Sequence, residues 1–145
     1  MRLVIAISAI VVAGVLTYTM WPTVDQSSQA ATEGGASGGV ALAEVVLPDV
    51  LSQDAQIGER AYAANCAVCH GINAAGQDRV APPLIHRIYE PNHHGDESFR
   101  LAAILGVRSH HWPFGDMPPV EGIARDDVTF IIAYIRELQR ANGIH

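Results

Sequence analysis

At 145 residues the chain has room for one domain of ordinary size, and it carries a formal net charge of −6 with arginine but no lysine. An acidic chain without a basic stripe lacks the counterion-displacing surface that nucleic-acid binding needs, and without lysine it has no lysine ring for docking. The only two cysteines, Cys66 and Cys69, stand three positions apart; in an exported chain they could form one disulfide, but the histidine directly after them points to another use.

In chain order the first element is apolar. Leu3 to Met20 carries no charge, comes after Arg2, and precedes the next charge at Asp25. At ~1.5 Å per residue these residues extend about 27 Å as a helix, enough for a bilayer core. Tyr18 and Trp21 lie at the outer end, where amphipathic aromatics favour the interface. With Arg2 held inside, residues 1–22 read as a single transmembrane signal-anchor, leaving the rest on the periplasmic side of a bacterial cytoplasmic membrane. The alternative is a cleaved leader. Thr17 to Pro22 fits a cleavage site poorly, and the better pattern, Ser28-Gln29-Ala30, stands far downstream.

Residues 23–48, rich in Gly, Ala and Ser, read as a flexible linker whose apolar end, Val45 to Pro48, is placed to pack on the adjoining domain. Residues 49–145 form that domain, small enough that a buried cofactor would help to fill its core. Three helical patterns appear in it. The first runs from a cap at Asp54 through Ile57, Ala61, Tyr62 and Ala64 into Cys66. The second lies within Asp96 to Leu105, with acids in its first turn and Gly106 as its stop. The third carries Val128, Ile131, Ile132, Ile135 and Leu138 at helical spacing, after Asp126-Asp127, with Arg136 and Arg140 toward its end and Gly143 beyond it. Nothing alternates with period two, so the domain reads as all-α with long loops.

Cys66-Ala67-Val68-Cys69-His70 is a haem-attachment signature. On a helix the two thiols share a face and His70 lies one turn beyond Cys66, so two thioethers and an imidazole can reach one haem. A thioredoxin-like pair would need a strand–helix context, and a zinc site would need a second CxxC pair. Met1 and Met20 belong to the anchor, so Met117, stiffened by Pro118 and Pro119, is left as the candidate sixth ligand. His/Met ligation fills both axial positions, which suits electron transfer.

On these residues the region from Asp54 to Gln139 resembles a class I cytochrome c. Gly58-Glu59-Arg60-Ala61-Tyr62 resembles that family's first helix, whose glycine lets the last helix cross closely, and Tyr134 matches the aromatic that packs there. Ala81-Pro82-Pro83-Leu84 resembles the loop whose proline carbonyl accepts a bond from the ligating histidine; Pro83 is favoured, with Pro82 as the alternative. One departure is the start of the last helix, where Ala124 or Arg125 stands in place of a Ser or Thr cap.

The resemblance implies a non-enzymatic one-electron carrier with one covalent haem c. Its cofactor-binding residues are Cys66, Cys69, His70, Met117 and Pro83, with His70 and Met117 on the iron. The implied partners are membrane-bound redox complexes: an oxidase, a quinol-oxidising complex or a dehydrogenase. Tyr89 and Trp112 read as pocket walls, and Arg79 and Arg108 as candidate partners of the haem propionates. His86, His93, His94, His110 and His111 are left over. They read as polar loop residues, as a second metal site shared by the two His-His pairs, or as a source of the sixth ligand from His110 or His111. Two rival functions remain, a ligand-sensing or catalytic haem protein and a metal-handling subunit.

Overall fold

The computed structural model describes residues 39–145. The expected anchor, and the linker as far as residue 38, lie outside the described residues. Among the described residues no helix is long and apolar enough to cross a membrane. Four α-helices are present there: α1 (Gln53–Asn65), α2 (Ala67–His70), α3 (Asp96–Leu105) and α4 (Arg125–Ala141). Two 3-10 turns, Ile72–Ala74 and Arg87–Tyr89, lie between them, and pairing of extended chain is limited to isolated bridges.

The cap of α1 is Ser52, not Asp54. The Ser52 hydroxyl accepts the Ala55 N–H at 3.2 Å and donates to Glu137 Oε1 at 2.6 Å. It thus satisfies an orphan donor of α1 and ties that end to α4. Asp54 falls in the first turn, where its charge complements the helix dipole. The backbone departs from α1 at Cys66, so the attachment motif lies on its own short turn. Gly106 ends α3 as expected, at φ +77. Ala124 precedes α4 without a side-chain cap bond, and Asn142 closes the other end, its amide donating to Leu138 O at 2.7 Å.

The main packing is α1 against α4. A Cβ on Gly58 would stand 1.9 Å from Phe130 O, so only glycine permits this approach of the two backbones. One turn on, Tyr62 and Tyr134 meet with ring centroids 5.6 Å apart. Val128, Ile131, Ile132, Ile135 and Leu138 are all buried, as their periodicity predicts. Arg136 and Gln139, on the same helix, are buried as well. Position alone makes Arg136 no more than a basic residue near the helix end; its burial is a finding of the structure.

Residues 39–47, expected to be linker, lie along the domain. Gly39 N–H donates to Gln77 Oε1, Asp78 N–H to Val40 O, and Leu42 and Ala43 N–H both to Ala75 O. Val46 exchanges two bonds with the Asn142 amide, and Val45 packs on the core. The physical reason is that buried Gln77 and the end of α4 offer partners that a sequence rich in Gly and Ala accepts without steric penalty.

Candidate functional site

The motif turn presents its residues by backbone geometry. Cys69 and His70 N–H both donate to Cys66 O, at 3.1 and 2.9 Å, and Gly71 N–H to Ala67 O at 3.0 Å. Cys66, Cys69 and His70 consequently line one wall of a predominantly apolar cavity of about 410 Å³, within the ~300–1,000 Å³ usual for cofactor sites. Both cysteines are free thiols. Burial pushes the Cys66 thiol up to about 11, with Cys69 adding to the rise, so it is protonated at neutral pH.

His70 is buried, with Nδ1 2.9 Å from Pro82 O. A carbonyl can only accept, so Nδ1 carries the proton and Nε2 keeps its lone pair, as an iron ligand requires. Burial holds the imidazole below its ordinary pKa, with the Pro82 bond acting in the opposite direction.

The expected carbonyl is that of Pro83, and the geometry corrects it to Pro82. Gly76, at φ +75, brings its backbone against the Pro82–Pro83 peptide; a Cβ there would stand 2.5 Å from Pro83 N. Leu84 N–H then donates to Ala74 O at 2.9 Å. Fixed on both sides, the chain buries Pro83 and leaves Pro82 on the cavity wall. Nothing within a Pro-Pro pair distinguishes the two carbonyls; the close approach of Gly76 does.

Met117 also lines the cavity. Its backbone is paired with Val107 by two bonds of 2.9 Å, Val107 N–H to Met117 O and Met117 N–H to Val107 O. Gly106 makes this pairing possible, since a Cβ there would stand 2.5 Å from Met117 O. Asp116 Oδ1 accepts the Ser109 N–H at 2.8 Å, bracing the same arm from the other side of the methionine. The thioether is therefore carried on a pinned segment.

Tyr89 and Trp112 line the cavity as expected, and so do His94, His110 and His111. Arg79 and Arg108 do not. Arg79 pairs with its neighbour Asp78 and its side chain is 90% exposed. Burial raises the Tyr89 phenol, and the Trp112 indole is close enough to oppose part of that rise without forming a well-aligned hydrogen bond. Trp112 Nε1 is buried with no partner. His86 is used locally, its Nδ1 accepting the Ile88 N–H at 3.2 Å.

Arg136, which its place in the sequence does not single out, organises this wall. It donates to Tyr89 O at 2.8 Å, His94 O at 2.6 Å, Gln139 Oε1 at 2.6 Å and Asp96 Oδ1 at 2.9 Å, and stacks 4.9 Å from the centre of Phe99. A signal for it exists in the sequence: Val128, Ile132, Arg136 and Gln139 repeat at helical spacing, which sets an arginine on the buried stripe.

A family model for cytochrome c matches residues 55–139, more than half of the chain. The chain belongs to the cytochrome c family. No curated protein matches it. As a cytochrome c domain it binds covalently attached haem c, and such domains are typical of electron-transfer proteins.

The residues present fit that group. Two free thiols and a neutral imidazole stand together on an apolar cavity. The unpartnered Trp112 N–H supplies a buried donor of the kind that a haem propionate satisfies.

Proposed function

We propose that this cytochrome c domain is a six-coordinate, His/Met-ligated one-electron carrier. The observation that most supports it is that Met117, the methionine outside the anchor, lines the same cavity as Cys66, Cys69 and His70. Bound haem supplies the one-electron couple. Cys66 and Cys69 hold it through thioethers, and the Pro82 carbonyl keeps His70 in the tautomer that presents Nε2. Met117 closes the sixth position, and its pinned backbone keeps the thioether in place when the charge of the iron changes. Leu84, Ile131, Ile132 and Ile135 on the wall exclude water. With both axial sites filled, small ligands are kept out and reactive haem chemistry is disfavoured.

In the same proposal residues 1–22 anchor the chain in a bacterial cytoplasmic membrane with the haem domain on the periplasmic side. Tethering raises its effective concentration toward membrane-bound redox partners, an oxidase, a quinol-oxidising complex or a dehydrogenase.

One experiment tests both parts. The protein is sought in salt-washed membranes; recovery only in the soluble fraction sinks the anchor. In the purified protein the oxidised wild type shows the far-red thioether-to-iron charge-transfer band. Met117→Ala keeps the haem attached, loses that band, lowers the reduction potential and admits CO. If the wild type lacks the band and His111→Asn changes the haem spectrum, a histidine supplies the ligand instead.

A further inference from the structure

The carrier reading gives no ligand role to one cluster, two of whose members, His94 and His111, also line the haem cavity. His93, His94 and His111 come from two loops 17 residues apart, yet one ring nitrogen of each lies within 4.8 Å of the other two. Ring centroids are 4.6 Å apart for His93 and His94, 5.5 Å for His93 and His111, and 5.2 Å for His94 and His111.

Adjacent histidines diverge unless the chain bends. Here it bends because Glu90 O accepts both the His93 N–H, at 3.0 Å, and the His94 N–H, at 2.8 Å. Each loop is braced from outside the cluster. Arg136 holds His94 O, and Ser109, next to the His110-His111 pair, binds Asp116 Oδ1 through its N–H and Trp112 O through its hydroxyl.

We propose that His93, His94 and His111 form a second metal site, distinct from the haem iron, for a divalent late first-row transition-metal ion. His94 is oriented as a ligand should be: Nδ1 lies 2.6 Å from Ile88 O, so it carries the proton and Nε2 is the free donor. Among the described residues the rings of His93 and His111 make no hydrogen bond, so each keeps a nitrogen available. Three donors about 2.1 Å from a common tetrahedral ion lie about 3.4 Å apart, so closure takes about 1 Å of movement, within reach of side-chain rotation.

The donor set decides the class of ion. Three neutral imidazoles with no carboxylate and no thiolate suit Zn²⁺, Ni²⁺ and Cu²⁺, whereas Ca²⁺ and Mg²⁺ want oxygen. With three protein ligands, one position stays open to water or to His110, whose ring lies 4.1 Å from that of His111.

The test titrates chelator-stripped, oxidised holoprotein with Zn²⁺ by calorimetry, because Zn²⁺ exchanges no electrons with the haem. The expected result is one Zn²⁺ per chain in addition to the haem iron. His93→Asn and His111→Asn should each weaken binding by more than the ~10–100-fold that outer-sphere changes cost. His145→Asn should leave it unchanged, and the far-red band should persist in every variant as proof of an intact haem domain. The proposal is overturned if no Zn²⁺ binds, or if binding survives both cluster variants. It is also overturned if His111→Asn alters the metal-free haem spectrum, which would assign that ring to the haem. The first two failures leave the Met117 band, and so the carrier reading, untouched.

Discussion

Where α1 crosses α4, backbone and rings touch: Gly58 lies under Phe130 O, and Tyr62 meets Tyr134. Where residues 84–95 meet α4, Leu84 and Ile85 join the apolar core, and the rest of the contact is made by side-chain donors on loop carbonyls. Arg136 reaches Tyr89 O and His94 O, while Gln139 Nε2 reaches Leu84 O at 3.0 Å and Tyr89 O at 3.1 Å. The first region depends on volume and the second on donors. Helices satisfy their own backbone, so they need only fit one another. A loop lying against a helix brings carbonyls that something must satisfy. Buried polar residues on α4 are the loop's substitute for a ladder.

The largest expected effect breaks the first region. Gly58→Ala puts a methyl group where Phe130 O already stands, and overpacking of this kind costs about 3 kcal/mol or more when the clash is with backbone. Chemical denaturation of the holoprotein measures it. An unchanged midpoint would mean that the crossing is not limited by the glycine.

Arg136→Met breaks the second region alone. The ion pair with Asp96 contributes little, because that carboxylate is 54% exposed. Tyr89 O keeps its Gln139 Nε2 donor, but leaving His94 O and Gln139 Oε1 without theirs costs about 2–4 kcal/mol. Hydrogen exchange should show protection lost over residues 84–95 and kept in α1. Equal loss in both would show that the two regions open together.

The smallest effect sharpens the boundary between the regions. The Tyr62 hydroxyl, at the helix crossing, donates to Gly71 O at 2.9 Å, and Tyr62→Phe should cost about 1 kcal/mol at neutral pH. Burial raises its phenol well above 10.0, and burial likewise pushes Tyr134 up to about 12. Well below pH 10 both phenols are neutral whether the chain is folded or unfolded, so they make stability independent of pH there. As pH rises through 10 the unfolded chain releases protons that the folded one keeps, and stability falls, the Tyr134 part levelling off near pH 12. Tyr62→Phe should make this fall shallower in denaturant titrations between pH 9 and 11, and an unchanged slope would contradict the burial of the phenol.

The sequence carries more of the helices than of the loops. The stripe from Val128 to Leu138, the stop at Gly106 and the Gly58–Tyr62 pattern are local or periodic signals, and each appears where it is expected. The cap of α1 stands two residues from its expected place because Ser52 and Asp54 are both good caps. Which of them serves is decided by Glu137, 85 positions away. Helical spacing sets Arg136 on the buried stripe, but which carbonyls it meets there is not legible, because Tyr89 and His94 lie more than 40 positions away.

By itself the sequence determined the attachment motif, because two thiols and an imidazole within one helical turn are set by spacing alone. It also singled out Met117 as the candidate sixth ligand, since the domain has no other methionine. Tertiary structure alone decided which proline carbonyl meets His70, because that depends on how closely Gly76 approaches the Pro82–Pro83 peptide. It decided, too, that residues 39–47 run along the domain, and that His93, His94 and His111 form one cluster rather than two exposed pairs. In each case the partners are far apart along the chain. Periodicity and spacing report what a segment can do, and only the folded chain brings to it the group that it does it with.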